Sequence, residues 1–117
     1  MGNRICHMEI PCTDIGRAKA FYTKIFDWSF EDAGEEYAMF NTGSGIGGAL
    51  DLRTEPLPTK RGVTLYIEVQ DIPQCLAEVR EAGGRIIKEK TEISKEWGYY
   101  ALFSDSEGNA MGLWSKD

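Results

Sequence analysis

Histidine is almost absent from this chain: 117 residues hold one, His7. That excludes a metal site built on two histidines, and a serine–histidine relay with a spare base. Cysteine is scarce too, with only Cys6, Cys12 and Cys75. Three is an odd number and no CxxC occurs, so the thiols read as reduced and disulfides are not expected. Basic residues are outnumbered, 13 Lys and Arg against 19 Asp and Glu, for a net charge of −6. Phosphate backbones and anionic lipids require a basic surface, so neither nucleic acid nor membrane is an expected partner. No apolar run approaches the about 18 residues that read as a membrane span. The opening MGNRICHMEIP lacks the apolar stretch of a signal peptide. A cytoplasmic protein is the expectation.

What is present is an ordinary globular composition, 42% hydrophobic and 27% charged. The length suffices for a core without staples. Within it the chain nearly repeats itself. Tyr37–Leu50 (YAMFNTGSGIGGAL) aligns with Tyr100–Leu113 (YALFSDSEGNAMGL) over fourteen positions without a gap, five of them identical. His7–Ile15 (HMEIPCTDI) aligns with Thr64–Ile72 (TLYIEVQDI) in the same way. The offsets are 63 and 57, about half the chain. A repeat of this kind dictates the architecture. It predicts two copies of one small module, with a site formed between them.

Alternation from Ile5 to Pro11 predicts a strand, and Thr64 to Val69 predicts its copy. Asp14 and Asp71 stand where helix N-caps belong. Ala18, Phe21, Tyr22 and Ile25 follow helical spacing after the first. Ile72, Cys75, Leu76 and Val79 follow it after the second, until Gly83-Gly84 stops the helix. Pro73 falls in the first turn, where its missing N–H is tolerated. Further strands are expected near 28–31, 36–41 and 46–53, then near 85–91, 98–104 and 110–115. The loop Thr54–Gly62, TEPLPTKRG, reads as a linker. The reading is βαβββ–linker–βαβββ: module one over 4–53, linker 54–62, module two over 63–115, within a single domain spanning 1–117.

Two tempting motifs have plainer readings. Gly45-Ile46-Gly47-Gly48 precedes a strand and no helix, so it is a turn and a close backbone approach, not a phosphate loop. Cys12 lies near a helix start, but the charge of Asp14 opposes a thiolate, so an inert thiol is expected.

The run Asp14–Trp28 (DIxRAxxFYxxxFxW) and the DxEGN of Asp105–Asn109 resemble the glyoxalase/bleomycin-resistance/extradiol-dioxygenase superfamily, the vicinal oxygen chelate proteins. The resemblance covers essentially the whole chain. It implies an α+β fold in which two βαβββ modules form a curled mixed sheet around a cavity, with helices on the convex face. It also implies a homodimer. Alternation agrees with that layout. Cys6, Met8 and Ile10, with Leu65, Ile67 and Val69, would face the helices. His7, Glu9, Thr64 and Tyr66 would face the cavity.

Metalloenzymes of that family carry four ligands, two on first strands and two on last strands. By resemblance those positions fall on His7, Ala49, Thr64 and Gly112. One good donor remains, where a catalytic metal needs about three. A shifted set of His7, Glu9 and Asp51 has the right parity. But residues two apart on a strand lie ~7 Å apart, so a shared ion is awkward for them. No metal and no cofactor are expected. Ala49 and Gly112 would leave room for an apolar or aromatic ligand, and Tyr66 and Trp114 share the cavity parity. Trp97, after the polar stretch Thr91–Glu96, is a candidate lid over the mouth. The expected ligand pocket is His7, Glu9, Ala49, Asp51, Thr64, Tyr66, Trp97, Gly112 and Trp114, with no catalytic residue assigned. The expected function is metal-free binding of a small apolar or aromatic molecule. The alternative is a glyoxalase-like lyase, isomerase or dioxygenase with an atypical metal site.

Overall fold

Residues 2, 6–53 and 64–117 are described by the computed structural model. The chain divides into two units, Met1–Leu57 and Pro58–Asp117. The first runs β1 (Met8–Cys12), α1 (Ile15–Phe26), β2 (Ser29–Asp32), β3 (Tyr37–Asn41) and β4 (Gly48–Leu52). The second runs β5 (Tyr66–Glu68), α2 (Ile72–Glu81), β6 (Arg85–Ser94), β7 (Gly98–Ser104) and β8 (Ala110–Ser115). Each unit holds one four-stranded mixed sheet, in the orders β1-β4-β3-β2 and β5-β8-β7-β6. In each the first strand lies parallel to the last, and the other pairs are antiparallel.

The repeat holds residue by residue. Ile10 pairs with Leu50 as Ile67 pairs with Leu113. Tyr37 pairs with Asp51 as Tyr100 pairs with Trp114. These are the offsets of 57 and 63 in the sequence.

Both helices begin as predicted. The Asp14 carboxylate accepts from the Arg17 N–H and that of Asp71 from the Gln74 N–H, each at 3.0 Å. Gly83, at φ +97, turns the chain out of α2. Its N–H donates to the Arg80 carbonyl, and that of Gly84 to Val79. That paired closure needs a left-handed residue, which glycine adopts without strain. Between β7 and β8 the DxEGN turn is organised by Asp105, which is 3% exposed. Its carboxylate accepts from the backbone of Glu107 and from both the backbone and side chain of Asn109.

One face of each sheet packs on its helix. In the first unit Ala18, Phe21 and Tyr22 of α1 are buried with Ile10, Cys12, Ala38, Phe40 and Leu50. Trp28 sits between Tyr22 and Phe40, stacked on both, with centroids 4.8 and 4.7 Å away. In the second unit Ile72, Cys75, Leu76 and Val79 of α2 are buried with Ala101, Phe103, Met111 and Leu113. Gly48 is required where it stands: a Cβ would run into the Met8 carbonyl oxygen and the Phe40 ring. This is the close backbone approach read from the glycine run.

Several boundaries move. β1 starts at Met8, and Cys6 is exposed instead of facing the helix. Ile5 and the linker 54–62 lie outside the described residues. β5 is shorter than Thr64–Val69, although Leu65 and Val69 still bond to β8 through backbone. β6 runs on to Ser94, because its pairing with β7 continues to Ser94↔Gly98.

Candidate functional site

The face of each sheet turned away from its helix carries the chemistry. On the first sheet it presents Glu9 and Pro11 of β1, Ala49 and Asp51 of β4, and Tyr37 and Met39 of β3, set side by side by the register. His7 shares the parity of Glu9 just before β1. It is exposed, as are Glu9 and Met39, whereas Ala49 is fully buried.

Tyr37 joins two of the expected residues. Its hydroxyl donates to Glu9 Oε2 at 2.6 Å and lies 2.9 Å from His7 Nε2. His7 Nε2 and Glu9 Oε2 are 4.0 Å apart. The Glu9 hydrogen bond, above all, pushes the phenol up to about 12; desolvation and the charges of Glu9 and Asp51 push the same way. Every one of those causes favours the neutral phenol, which gives its proton to a carboxylate. Asp51 has a different partner, the Arg53 Nε at 2.9 Å.

The sequence reading missed Tyr37 and Arg53. Tyr37 heads the internal repeat, where it reads as pattern and not as chemistry. Its place opposite Asp51 depends on the β3–β4 register, which the loop 42–47 fixes and alternation alone does not.

The second sheet presents a different surface. Tyr66 of β5, Gly112 and Trp114 of β8, and Tyr100 and Leu102 of β7 share its open face. Thr64, just before β5, is exposed with the same parity. The space expected to be empty at Gly112 is taken by Tyr66. A Cβ at Gly112 would overlap the phenol ring, whose Cγ would be 2.9 Å away. Trp114 donates its indole N–H to the Trp97 carbonyl at 2.7 Å. The Trp97 N–H is held by Ser94 Oγ at 2.9 Å. The β6–β7 turn is thereby fastened by its backbone, while the Trp97 indole stays 64% exposed. Lys88 Nζ lies 5.5 Å from the Tyr100 ring centre.

The donors do not suit a metal. In the first unit His7 is matched by Ala49, and in the second Thr64 is matched by Gly112 under the Tyr66 ring. The shifted set does not assemble, since Asp51 is paired with Arg53. Among the described residues no group of three or more His, Cys, Asp or Glu could hold an ion. Two of the three thiols, Cys12 and Cys75, are withdrawn from chemistry by burial. Cys12 is fully buried, and burial first, then the charges of Glu78 and Asp71, pushes Cys75 up to about 12. Two shallow hollows open on the first unit. One, of about 480 Å³, reaches Tyr37 and Asp51 from the turn at Ala33–Glu36. The other, of about 580 Å³, lies outside α1 near Trp28 and Phe30. Of the nine expected pocket residues only Asp51 lines either.

Comparison with known proteins gives a consistent picture. The profile described as Glyoxalase/Bleomycin resistance protein/Dioxygenase superfamily matches residues 4–113. A glyoxylase-like domain-containing protein of Didymella fabae is 25% identical, over 94% of this chain and 91% of its own length. CFP32 of Mycobacterium bovis is 27% identical over 92% of this chain, which spans 43% of that protein. Among solved structures, the fosfomycin resistance protein FosX of Listeria monocytogenes superposes with a TM-score of 0.80 at 14% identity. That match covers 98% of this chain and 94% of FosX.

Proposed function

Since the chain belongs to the glyoxalase/bleomycin resistance protein/dioxygenase superfamily, we propose that it is a metal-free binding protein for a small apolar or aromatic molecule. One observation carries the reading. Where metal-dependent relatives would place donors, this chain has Ala49, Thr64 and a Gly112 covered by the Tyr66 ring. Within the first unit, His7, Tyr37 and Glu9 offer hydrogen-bonding groups beside the apolar Ala49 and Met39 of the same face; within the second, taken by itself, Tyr66, Tyr100 and Trp114 offer flat rings for stacking. A few placed polar groups among apolar ones is the usual make-up of a small-molecule site. The likeness to a fosfomycin resistance protein, at 14% identity, speaks for the fold alone. No helix among the described residues is long and apolar enough to cross a membrane. We place the protein in the cytoplasm as a homodimer.

The competing reading is a lyase, isomerase or dioxygenase with an atypical metal held near His7 and Glu9, whose side chains come within 4.0 Å. Elemental analysis and ligand titration separate the two. The binding reading expects no stoichiometric transition metal. It expects the fluorescence of Trp28, Trp97 and Trp114 to respond to at least one of a panel of planar aromatics, equally with and without chelator. One equivalent of metal per chain, lost in His7→Ala, together with no response to any compound, would overturn the binding reading and favour the enzyme instead.

A further inference from the structure

A phenol has one proton to give. Tyr37 gives it to Glu9, at 2.6 Å the shortest hydrogen bond of the cluster. Its oxygen can therefore only accept from His7 Nε2, 2.9 Å away. So Nε2 must carry the hydrogen, and in the neutral imidazole Nδ1 keeps the lone pair. Nδ1 has no partner among the described residues, and the His7 side chain is 38% exposed.

We propose that Glu9 and Tyr37 act as positioning residues that hold neutral His7 in its Nε2–H tautomer, so that Nδ1 presents a fixed acceptor to a hydroxyl or N–H group of the ligand. The choice of ligand rests on the binding function proposed above; the tautomer lock does not. The arrangement also accounts for the poor metal fit at His7. A protonated Nε2 has no lone pair to donate, and among the described residues no group of three or more His, Cys, Asp or Glu could hold an ion. It narrows the ligand class as well: an aromatic molecule with a phenolic or amide donor is favoured over its alkylated analogue, which leaves the Nδ1 acceptor without a partner.

The single histidine makes the test direct, since a long-range proton–nitrogen correlation spectrum contains one imidazole. It is recorded at about pH 9, above the ordinary histidine range. Wild type is expected almost wholly as the Nε2–H form. Glu9→Leu frees the phenol proton to point at Nε2, so the Nδ1–H share should rise above that of wild type and of Tyr37→Phe, which has no phenol to donate. A dominant Nδ1–H form in wild type, or no excess of it in Glu9→Leu over Tyr37→Phe, overturns the lock. Backbone spectra of each variant show whether the fold is kept. For the ligand, calorimetry compares 2-naphthol with 2-methoxynaphthalene at neutral pH. The naphthol should bind about fivefold tighter or better, and His7→Ala should erase the difference. Equal affinities overturn donor recognition. Binding of neither overturns the functional reading and donor recognition with it, while the tautomer populations still decide the lock.

Discussion

Tyr37 is the residue whose chemistry the fold changes most. Its phenol is raised to about 12 from an ordinary value near 10, chiefly by its hydrogen bond to Glu9. Ultraviolet titration should show one tyrosine ionising about two units above an unperturbed one. Glu9→Gln should bring it back toward 10. The consequence for stability follows in sign. The folded state holds the phenolic proton more tightly than the unfolded chain, so this contribution is complete below about pH 10. It is lost as pH rises from about 10 to about 12. Denaturation of wild type and Tyr37→Phe across that window should converge as the pH increases; a constant gap would refute the coupling. Gly112 yields the second prediction. A larger side chain there meets the Tyr66 ring, so Gly112→Leu should cost about 1–3 kcal/mol of stability. In a Tyr66→Ala background the cost should largely vanish. A double-mutant cycle in urea measures that coupling, and strict additivity would show that the ring does not fill the site. That His7 and Glu9 share an open face was legible from alternation. Their link through Tyr37, and the burial of Gly112, were not, because both depend on side chains from strands distant in sequence.

At the level of elements the sequence was easier to read, for a physical reason. The repeat supplied two versions of each strand and helix, and a weak signal in one copy was supported by a stronger one in the other. The Asp14 and Asp71 caps, the stop at Gly83-Gly84 and the order of strands all stand where the pattern put them. Asp71→Ala should therefore cost about 1 kcal/mol, read from thermal or urea unfolding. Gly48→Ala should cost more, about 3 kcal/mol, because its methyl group meets the Met8 backbone carbonyl, which has nowhere to withdraw. A Gly48→Ala cost no larger than that of the cap would mean that β1 and β4 can separate locally. The far end of β6 escaped the reading. Its KEKTE segment is charged and lacks a buried alternation, and its pairing with β7 is broken by register shifts between Ile86 and Lys88 and again before Thr91. Only the partner strand reveals where such a strand ends.

For the whole molecule, the chain's architecture was more legible than its ligand. Two open four-stranded sheets follow from the repeat, but an open face of mixed aromatic and polar residues suits many small molecules. The same openness bears on assembly. Each sheet, taken by itself, ends in two edge strands, β1 and β2 in the first and β5 and β6 in the second. Edge strands invite pairing with another chain unless they are charged, bent or covered. β6 shows the first two protections through Lys88, Glu89, Lys90 and its register shifts. It still exposes Ile87 and Ile93, at 51% and 48%. Apolar side chains beside an available edge favour a covered edge over a solvated one. Sedimentation at micromolar concentration should therefore give particles of twice the 13.1 kDa chain mass. If β6 lies at the contact, Ile87→Lys with Ile93→Lys should shift the population toward single chains while leaving circular dichroism unchanged. Sedimentation of wild type as single chains throughout would reject the dimer. A dimer indifferent to the double substitution would move the contact away from β6.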